Sequence, residues 1–329
     1  MGQSVLLDDS VFDESYLPEK LTCRENHISE IERFLVPAKQ GRSIKNLYVF
    51  GPPGSGKTLA VKHVLRKHFG KNSVYVNCWS SRTTHKVMEV ILKKLGHVIH
   101  GRESTSALIK KFDTPEQKKI IICLDEVDQL KDNKGILYVL ARNSSGLVLI
   151  SNLPSPRLEM DGRIKSRLFL QDVEFAPYQN HEVLDILKNR AFHGLNPQTV
   201  NEQILSEIAE ICSGDARMGL NILRAAAKEA ESGQIDSITS ELIKSVGKSS
   251  QKYRLSYLRG KLNEHQRILY EILVERKSID SGELYRNYAK SISSHVTSRG
   301  YRKYMKKMVD LGLVREIGSK RWKKYEIVA

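Results

Sequence analysis

Residues 51–58 read Gly51-Pro52-Pro53-Gly54-Ser55-Gly56-Lys57-Thr58, and their reading decides the fold. The short apolar run Leu47-Tyr48-Val49-Phe50 precedes them, and Leu59-Ala60-Val61-Lys62-His63-Val64-Leu65 follows with the apolar spacing of a helix. Strand, glycine-rich turn and helix form the setting in which such a loop cradles phosphate. Glycines let the backbone approach an anion without a Cβ in the way, and the turn aims N–H groups at it. The helix that starts there adds the partial positive charge of its N-terminus. On this reading Lys57 reaches the β- and γ-phosphates and the Thr58 hydroxyl holds Mg²⁺. The expected nucleotide-contacting set is Gly54, Ser55, Gly56, Lys57, Thr58 and Leu59.

A second motif lies some 70 residues downstream, where Lys119-Ile120-Ile121-Ile122-Cys123-Leu124 runs into Asp125-Glu126-Val127-Asp128. An apolar run that ends in carboxylates is the pattern of a buried parallel strand whose C-terminal end faces a ligand. Asp125 would then join the Mg²⁺ shell, and Glu126 would orient or deprotonate the attacking water. Gly146-Leu147-Val148-Leu149-Ile150-Ser151-Asn152 predicts another buried strand. Asn152 at its end reads two ways: an amide that hydrogen-bonds a γ-phosphate and the attacking water, or the start of the turn before Pro154. Ser73 to Cys78 and Leu168 to Phe175 complete five expected strands, with helices over Thr83 to Leu95, Thr105 to Phe112 and Gly135 to Ala141 between them. Alternation of this kind predicts an α/β fold around a parallel sheet.

In Arg163-Ile164-Lys165-Ser166-Arg167-Leu168, arginines stand where they could stabilise charge on a transferring phosphoryl group, or simply face solvent. From Tyr178 the pattern is helical: Glu182 to Ala191, Asn201 to Cys212, Arg217 to Ser232 and Thr239 to Val246 predict a small bundle. Arg217 sits in the first turn of the third of these helices, where the dipole disfavours a cation, so it faces either a phosphate or solvent.

The chain has 329 residues and a net charge of +15, which implies two or three domains and a polyanionic partner. The charge is not spread evenly. Residues 254–329 hold 18 Lys/Arg against 8 Asp/Glu, about two-thirds of the surplus. This tail reads as helices over Glu264 to Arg276, Ser281 to Ala289 and Thr297 to Leu311, then a hairpin from Val314 to Ile317 and Lys323 to Val328. In the third helix Tyr301, Tyr304, Met305 and Met308 share an apolar face, while Arg299, Arg302, Lys303 and Lys306 share a basic one. Such a face suits a DNA major groove; Lys320, Arg321, Lys323 and Lys324 would reach phosphates or a neighbouring minor groove. A solvated charge face is the alternative.

Cys23, Cys78, Cys123 and Cys212 form no C-x-x-C pair, and Cys78 and Cys123 lie in apolar runs, so no zinc site is expected and a reducing compartment is. No apolar run approaches 18 residues, and the acidic N-terminus lacks the apolar core of a signal peptide. The expectation is a cytoplasmic, nucleoid-associated protein with no membrane partner.

Together these parts resemble the archaeal replication initiators related to the origin recognition complex and to cell division control protein six, within the AAA+ ATPases. The resemblance extends over nearly the whole length. Besides the two phosphate-site motifs it rests on Tyr-x-Pro-x-x-Leu-x-x-Arg-Glu at Tyr16 to Glu25, on Ala176-Pro177-Tyr178 with Glu182 and Arg190, and on Gly214-Asp215-Ala216-Arg217 before Asn221 to Ala226. With the reading of the residues it gives an AAA+ α/β domain over 1–176, a helical lid over 177–247 and a winged helix-turn-helix over 254–329; the polar, acidic residues 1–14 read by themselves as a mobile lead-in, and the polar stretch 248–253 as a linker. The resemblance further implies that Tyr178 and Arg190 contact ATP or ADP, that Asn152 and Arg217 sense the γ-phosphate, and that Arg167 is a finger acting across a subunit boundary. The family's DNA-touching insert falls near Thr83 to Lys111, with Arg82, Lys86 and Arg102 as contacts; here it is short. The implied function is ATP-dependent recognition of double-stranded origin DNA, with slow hydrolysis as a switch, recruitment of the replicative helicase, and contacts with itself or a paralogue. Two rivals remain: a DNA-acting AAA+ motor such as a branch-migration ATPase, and a winged-helix transcriptional regulator that ignores ATP.

Overall fold

A computed structural model of the chain describes residues 4–41, 46–113, 120–131, 133–143, 146–154, 166, 168–247, 262–292, 295–318 and 323–327. It divides into two compact units, Met1–Lys244 and Ser245–Ala329. The expected linker at 248–253 lies outside the described residues.

In the first unit helix α1 (Glu25–Leu35) leads to β1 (Leu47–Phe50), α2 (Lys57–His68), β2 (Ser73–Asn77), α3 (Thr84–Lys94) and α4 (Thr105–Phe112). There follow β3 (Ile121–Asp125), α5 (Asn133–Asn143), β4 (Gly146–Ser151) and β5 (Gln171–Glu174). The strands pair in parallel in the order β2-β3-β4-β1-β5. Side chains of a strand alternate between faces, and here both faces are covered. Leu47, Val49, Cys123, Val148 and Ile150 pack on one side with Ala60, Val61 and Val64 of α2. Tyr48, Ile122, Leu124 and Leu149 pack on the other with Val87 and Ile91 of α3 and Ile136 and Leu140 of α5. That double burial explains the unbroken apolar runs of β3 and β4. Strand β5 lies at the sheet edge with Val173 alone buried, and it is shorter than the run Leu168 to Phe175 suggests. Cys78 and Cys123 are free and buried, and burial pushes both thiols up, Cys78 to about 12.

Register decides what the sheet presents. Phe50 pairs with Ser151 and Glu174, and Asn77 pairs with Asp125, so β1, β3 and β4 all end on the same edge. The loop after β1, the carboxylates after β3 and Asn152 after β4 therefore share the C-terminal rim, where parallel sheets bind ligands.

Past the sheet come α6 (Asn180–Gly194), α7 (Glu202–Cys212), α8 (Ala216–Ser232) and a helix α9 over 240–247. Helix α6 starts in a reciprocal cap between Gln179 and Glu182, and Asn201 and Asp215 cap α7 and α8. The lead-in is a correction to the sequence reading. Residues 4–14 are folded, with a 3-10 turn over Asp9–Phe12, and Val5, Val11 and Phe12 are buried. Leu6 bridges Leu195, Arg224 donates from Nε to Asp9 Oδ1 (2.6 Å) and from Nη1 to Asp13 Oδ1 (2.8 Å), and Lys228 reaches Asp9 Oδ2 at 2.9 Å. Asp9, Asp13 and Glu14 are partners of Arg224, Lys228 and Arg217 on α8, and Asp8 caps the turn.

In the second unit α10 (Glu264–Arg276), α11 (Ser281–Ser291) and α12 (Ser298–Asp310) surround a three-stranded antiparallel sheet in the order β6-β8-β7. Its strands are β6 (Ser278–Asp280), β7 (Val314–Ile317) and β8 (Lys324–Ile327). Three helices and a hairpin, with β6 pairing β8, follow the element order of a winged helix-turn-helix; β6 is absent from the sequence reading. Leu269, Leu273, Leu284, Tyr288, Tyr301, Met305, Met308 and Tyr325 form the core.

Candidate functional site

The loop 51–56 leaves β1 and enters α2 through Gly56, whose φ of 88° is left-handed and which offers no side chain to cap the helix. The first-turn N–H groups of α2 are thus left facing the loop, the arrangement that suits an anion. Glycine is needed at 54 and 56 for a second reason. A Cβ on Gly54 (φ +76°) would run into the Asp215 carboxylate, and one on Gly56 would run into the Tyr178 hydroxyl. Tyr178 lies just before α6 and Asp215 caps α8, so two separate parts of the bundle meet the loop at this site.

Lys57 is only 6 % exposed, and its Nζ donates to the Gly51 carbonyl at 2.8 Å and the Pro52 carbonyl at 2.7 Å. Burial lowers its pKa to about 8, opposed by the nearby Asp125 carboxylate. Ser55 Oγ donates to the Pro52 carbonyl, which tightens the turn.

Asp125, at the end of β3, accepts from Thr58 Oγ1 (2.8 Å) and from Tyr75 Oη (2.6 Å), both on Oδ2, while Oδ1 accepts from the Glu126 N–H at 2.8 Å. Burial and the adjacent carboxylate push the Tyr75 phenol above its usual range, so it stays a donor. Oxygen donors from a hydroxyl and a carboxylate at this separation are the hard set that Mg²⁺ prefers, and the loop above them is shaped for phosphates. Glu126 adopts a left-handed backbone (φ 53°) directly after Asp125. A non-glycine residue held in that region commonly marks a functional turn. Asn152, at the end of β4, is exposed on the same rim, next to the buried Ser151, whose hydroxyl donates to Asp128 at 2.7 Å.

Arg217, in the first turn of α8, forms an ion pair with Glu14 at 3.2 Å. Asp215 beside it accepts from the Met218 N–H and abuts Gly54, so α8 starts against the phosphate loop. Tyr178 is buried, its N–H donates to the Gly214 carbonyl at 3.2 Å, and burial pushes its phenol to about 12. Arg190 is also buried; its Nη1 donates to the Val11 carbonyl at 3.0 Å and its guanidinium lies 4.5 Å from the Tyr16 ring centroid. The structure thus gathers Lys57, Thr58, Asp125 and Glu126 about one rim, sets Tyr178 against the loop, and places Arg190 among the N-terminal residues. Arg163 and Arg167 lie outside the described residues.

Tyr75 escaped the sequence reading, and Arg24 entered it only as the arginine of the Tyr16 to Glu25 motif, with no role. Tyr75 supports Asp125 from the neighbouring strand, where its pairing with Cys123 sets it beside the carboxylate two residues on. Arg24 precedes the first residue of α1, is 4 % exposed, and donates to the Ser55 carbonyl. A cation before a helix start is disfavoured by the dipole, the same signal that singled out Arg217.

In the second unit Arg299, Arg302, Lys303 and Lys306 of α12 are exposed along one face, opposite the buried Tyr301, Met305 and Met308. Lys323 is drawn to Glu316 across the hairpin at 2.5 Å. Lys320 and Arg321 lie outside the described residues. No helix among the described residues is long and apolar enough to cross a membrane.

Comparison with known proteins agrees with this geometry. Residues 42–153 match the AAA domain, and residues 184–248 match the Cdc6 AAA+ ATPase-type lid domain. A relative from Sulfurisphaera tokodaii, the ORC1-type DNA replication protein 1, is 30 % identical over 301 residues, which cover 84 % of this chain and 76 % of that protein. The solved Aeropyrum pernix ORC1 protein in complex with DNA superimposes with a TM-score of 0.71 at 24 % identity, covering 99 % of this chain and 94 % of that one. The Aeropyrum pernix ORC2 protein, solved as ADPNP and ADP complexes, gives 0.73 at 20 % identity and covers 98 % and 94 %. With a loop, a lid and a carboxylate rim assembled as they are and relatives spanning most of its length, the chain belongs to the Orc1/Cdc6 family of AAA+ replication proteins.

Proposed function

We propose that the protein binds ATP or ADP with Mg²⁺ at the 51–58 loop, and that it uses the bound nucleotide to control recognition of double-stranded DNA at replication origins. The observation that carries this is the meeting of the lid segments at Tyr178 and Asp215 with Gly56 and Gly54 of the loop. A ligand at that junction touches both sheet and lid, so its phosphates bias the angle between them.

Lys57 would leave the Gly51 and Pro52 carbonyls for the β- and γ-phosphates. Thr58 and Asp125 would hold Mg²⁺, which neutralises phosphate charge when bound. Glu126 would orient water, and Asn152 and Arg217 would contact the γ-phosphate, with Arg217 exchanging Glu14 for it. Tyr178 and Arg190 are assigned to the nucleotide by family likeness. Slow turnover suits a switch rather than a motor.

The exposed basic face of α12 is the proposed duplex reader, with Arg299, Arg302, Lys303 and Lys306 toward the groove and Lys320, Arg321 and Lys323 toward the flanking backbone. The solved DNA complex of the Aeropyrum pernix relative supports duplex binding as such, as does the family membership. Marking origins and helping to load the replicative helicase belong to the same proposal, supported by the family likeness.

Footprinting on the organism's own chromosome, with and without ATP, tests the whole. The expected result is protection confined to a few sites and altered by nucleotide. Arg302→Ala should weaken DNA binding, reduce the salt slope by about one ion if it contacts a phosphate, and leave ATP affinity intact. Uniform, nucleotide-indifferent protection would contradict the proposal.

A further inference from the structure

The roles assigned so far make no use of the buried charge on Arg24. Its fork is divided among several elements. Nε donates to the Ser55 carbonyl at 2.9 Å, Nη2 to the Ala176 carbonyl at 2.8 Å, and Nη1 to its neighbour Cys23 at 3.1 Å. The guanidinium lies 3.6 Å from the centroid of the Tyr178 ring, and Nη1 stands 3.8 Å from Glu182 in the first turn of α6. Ser55 belongs to the phosphate loop, Ala176 to the passage from β5 to the lid, and Tyr178 and Glu182 to the root of the lid.

The bond to Ser55 has a geometric consequence. A trans peptide is planar, so the Ser55 carbonyl and the Gly56 N–H point in opposite directions. Holding the oxygen toward Arg24 therefore turns the Gly56 N–H to the other face of the loop. Gly56 sits at φ 88°, and a glycine there would let this peptide turn over with little steric resistance. Loop sequence alone does not fix its orientation; a donor on the carbonyl does.

We propose that Arg24 is a positioning residue for the nucleotide: it locks the Ser55–Gly56 peptide with its N–H toward a bound phosphate, and its grip on Ala176 and Tyr178 ties that lock to the root of the lid. The proposal rests on residues 51–58 being a phosphate cradle. It predicts that lysine cannot substitute. One ammonium is a point donor on a flexible stem and cannot span both carbonyls while stacking on Tyr178.

The test uses the full chain as wild type, Arg24→Lys and Arg24→Ala. Displacement of a fluorescent ADP analogue by ATP and by inorganic tripolyphosphate measures the phosphate site, and hydrogen exchange of peptides spanning 51–58 without nucleotide measures the loop. Loss of one charge-assisted hydrogen bond predicts a roughly 10- to 100-fold weaker affinity for both competitors in Arg24→Lys. Faster exchange confined to the loop and the 174–182 segment should accompany it. Wild-type tripolyphosphate affinity in Arg24→Lys, or exchange that rises evenly across the first unit, would overturn the proposal, since a merely structural arginine gives that pattern. Failure of the wild type to bind ATP would instead overturn the nucleotide reading, and the exchange comparison would still decide whether Arg24 holds the peptide.

Discussion

Phe12→Ala probes the fold where it departs most from expectation. Phe12 is 1 % exposed and its ring lies against Gly194, with no room for a Cβ on that glycine. Removing a buried phenylalanine side chain costs about 3–5 kcal/mol in transfer and cavity energy. The lower end applies here, because residues 4–14 can detach once the loss exceeds their own docking energy, and further loss then has no effect on the rest. For a unit the size of Met1–Lys244, about 3 kcal/mol corresponds to roughly 6–12 °C in Tm. Leu7→Ala is the control, because Leu7 is 62 % exposed and its truncation should move Tm by less than about 2 °C. Scanning calorimetry of the full chain reads both variants. Equal melting of Phe12→Ala and Leu7→Ala would refute the docking of the N-terminal segment on the lid.

Further outcomes follow from the same contacts. Hydrogen bonds from Arg224 and then Lys228 hold the Asp9 carboxyl well below its usual range. A depressed carboxyl contributes fully above its unfolded pKa of about 4 and loses that contribution as pH falls toward the folded value, so the protection of residues 5–13 against hydrogen exchange, relative to the intrinsic rate at each pH, should fall below about pH 4. Asp9→Asn should show that lower protection already at pH 7, and wild-type protection that stays constant through pH 4 would contradict the assignment. Gly54→Ala forces a Cβ into the Asp215 carboxylate at a left-handed φ, so calorimetry should show at least about 1 kcal/mol of destabilisation and ATP affinity should fall. Tyr75→Phe removes one of two donors from Asp125 Oδ2, and titration of ATP binding against Mg²⁺ should show a Mg²⁺ requirement altered by roughly tenfold; an unchanged requirement would count against a metal role for that carboxylate.

Where a segment's environment is local or repetitive, its sequence discloses it. Strands β3 and β4 are buried on both faces and read as unbroken apolar runs, and the loop at 51–58 carries its chemistry in contiguous residues. Apolar and basic faces of α12 were separable because helical spacing sorts them. What stayed hidden depends on distant partners. Val5, Val11 and Phe12 are too sparse to show a period, and the residues shown against them, Asn196, Arg190 and Gly194, lie some 180 to 190 positions away. Strand β6 has three residues, too few for alternation to register, and exists because β8 pairs with it. Arg24 acts on backbone carbonyls 31 and 152 residues away, and a carbonyl leaves no mark in a side-chain pattern.

The most direct test is calorimetric titration of the wild-type protein and Lys57→Ala with ATP and Mg²⁺, followed by titration of the same samples with a duplex from the footprinted site. Lys57 has its ammonium on the Gly51 and Pro52 carbonyls, and on the proposed reading it passes from them to phosphate. The expected result is saturable ATP binding by the wild type, none by Lys57→Ala, and duplex binding by both that responds to ATP only in the wild type. ATP binding by Lys57→Ala equal to that of the wild type would contradict the account.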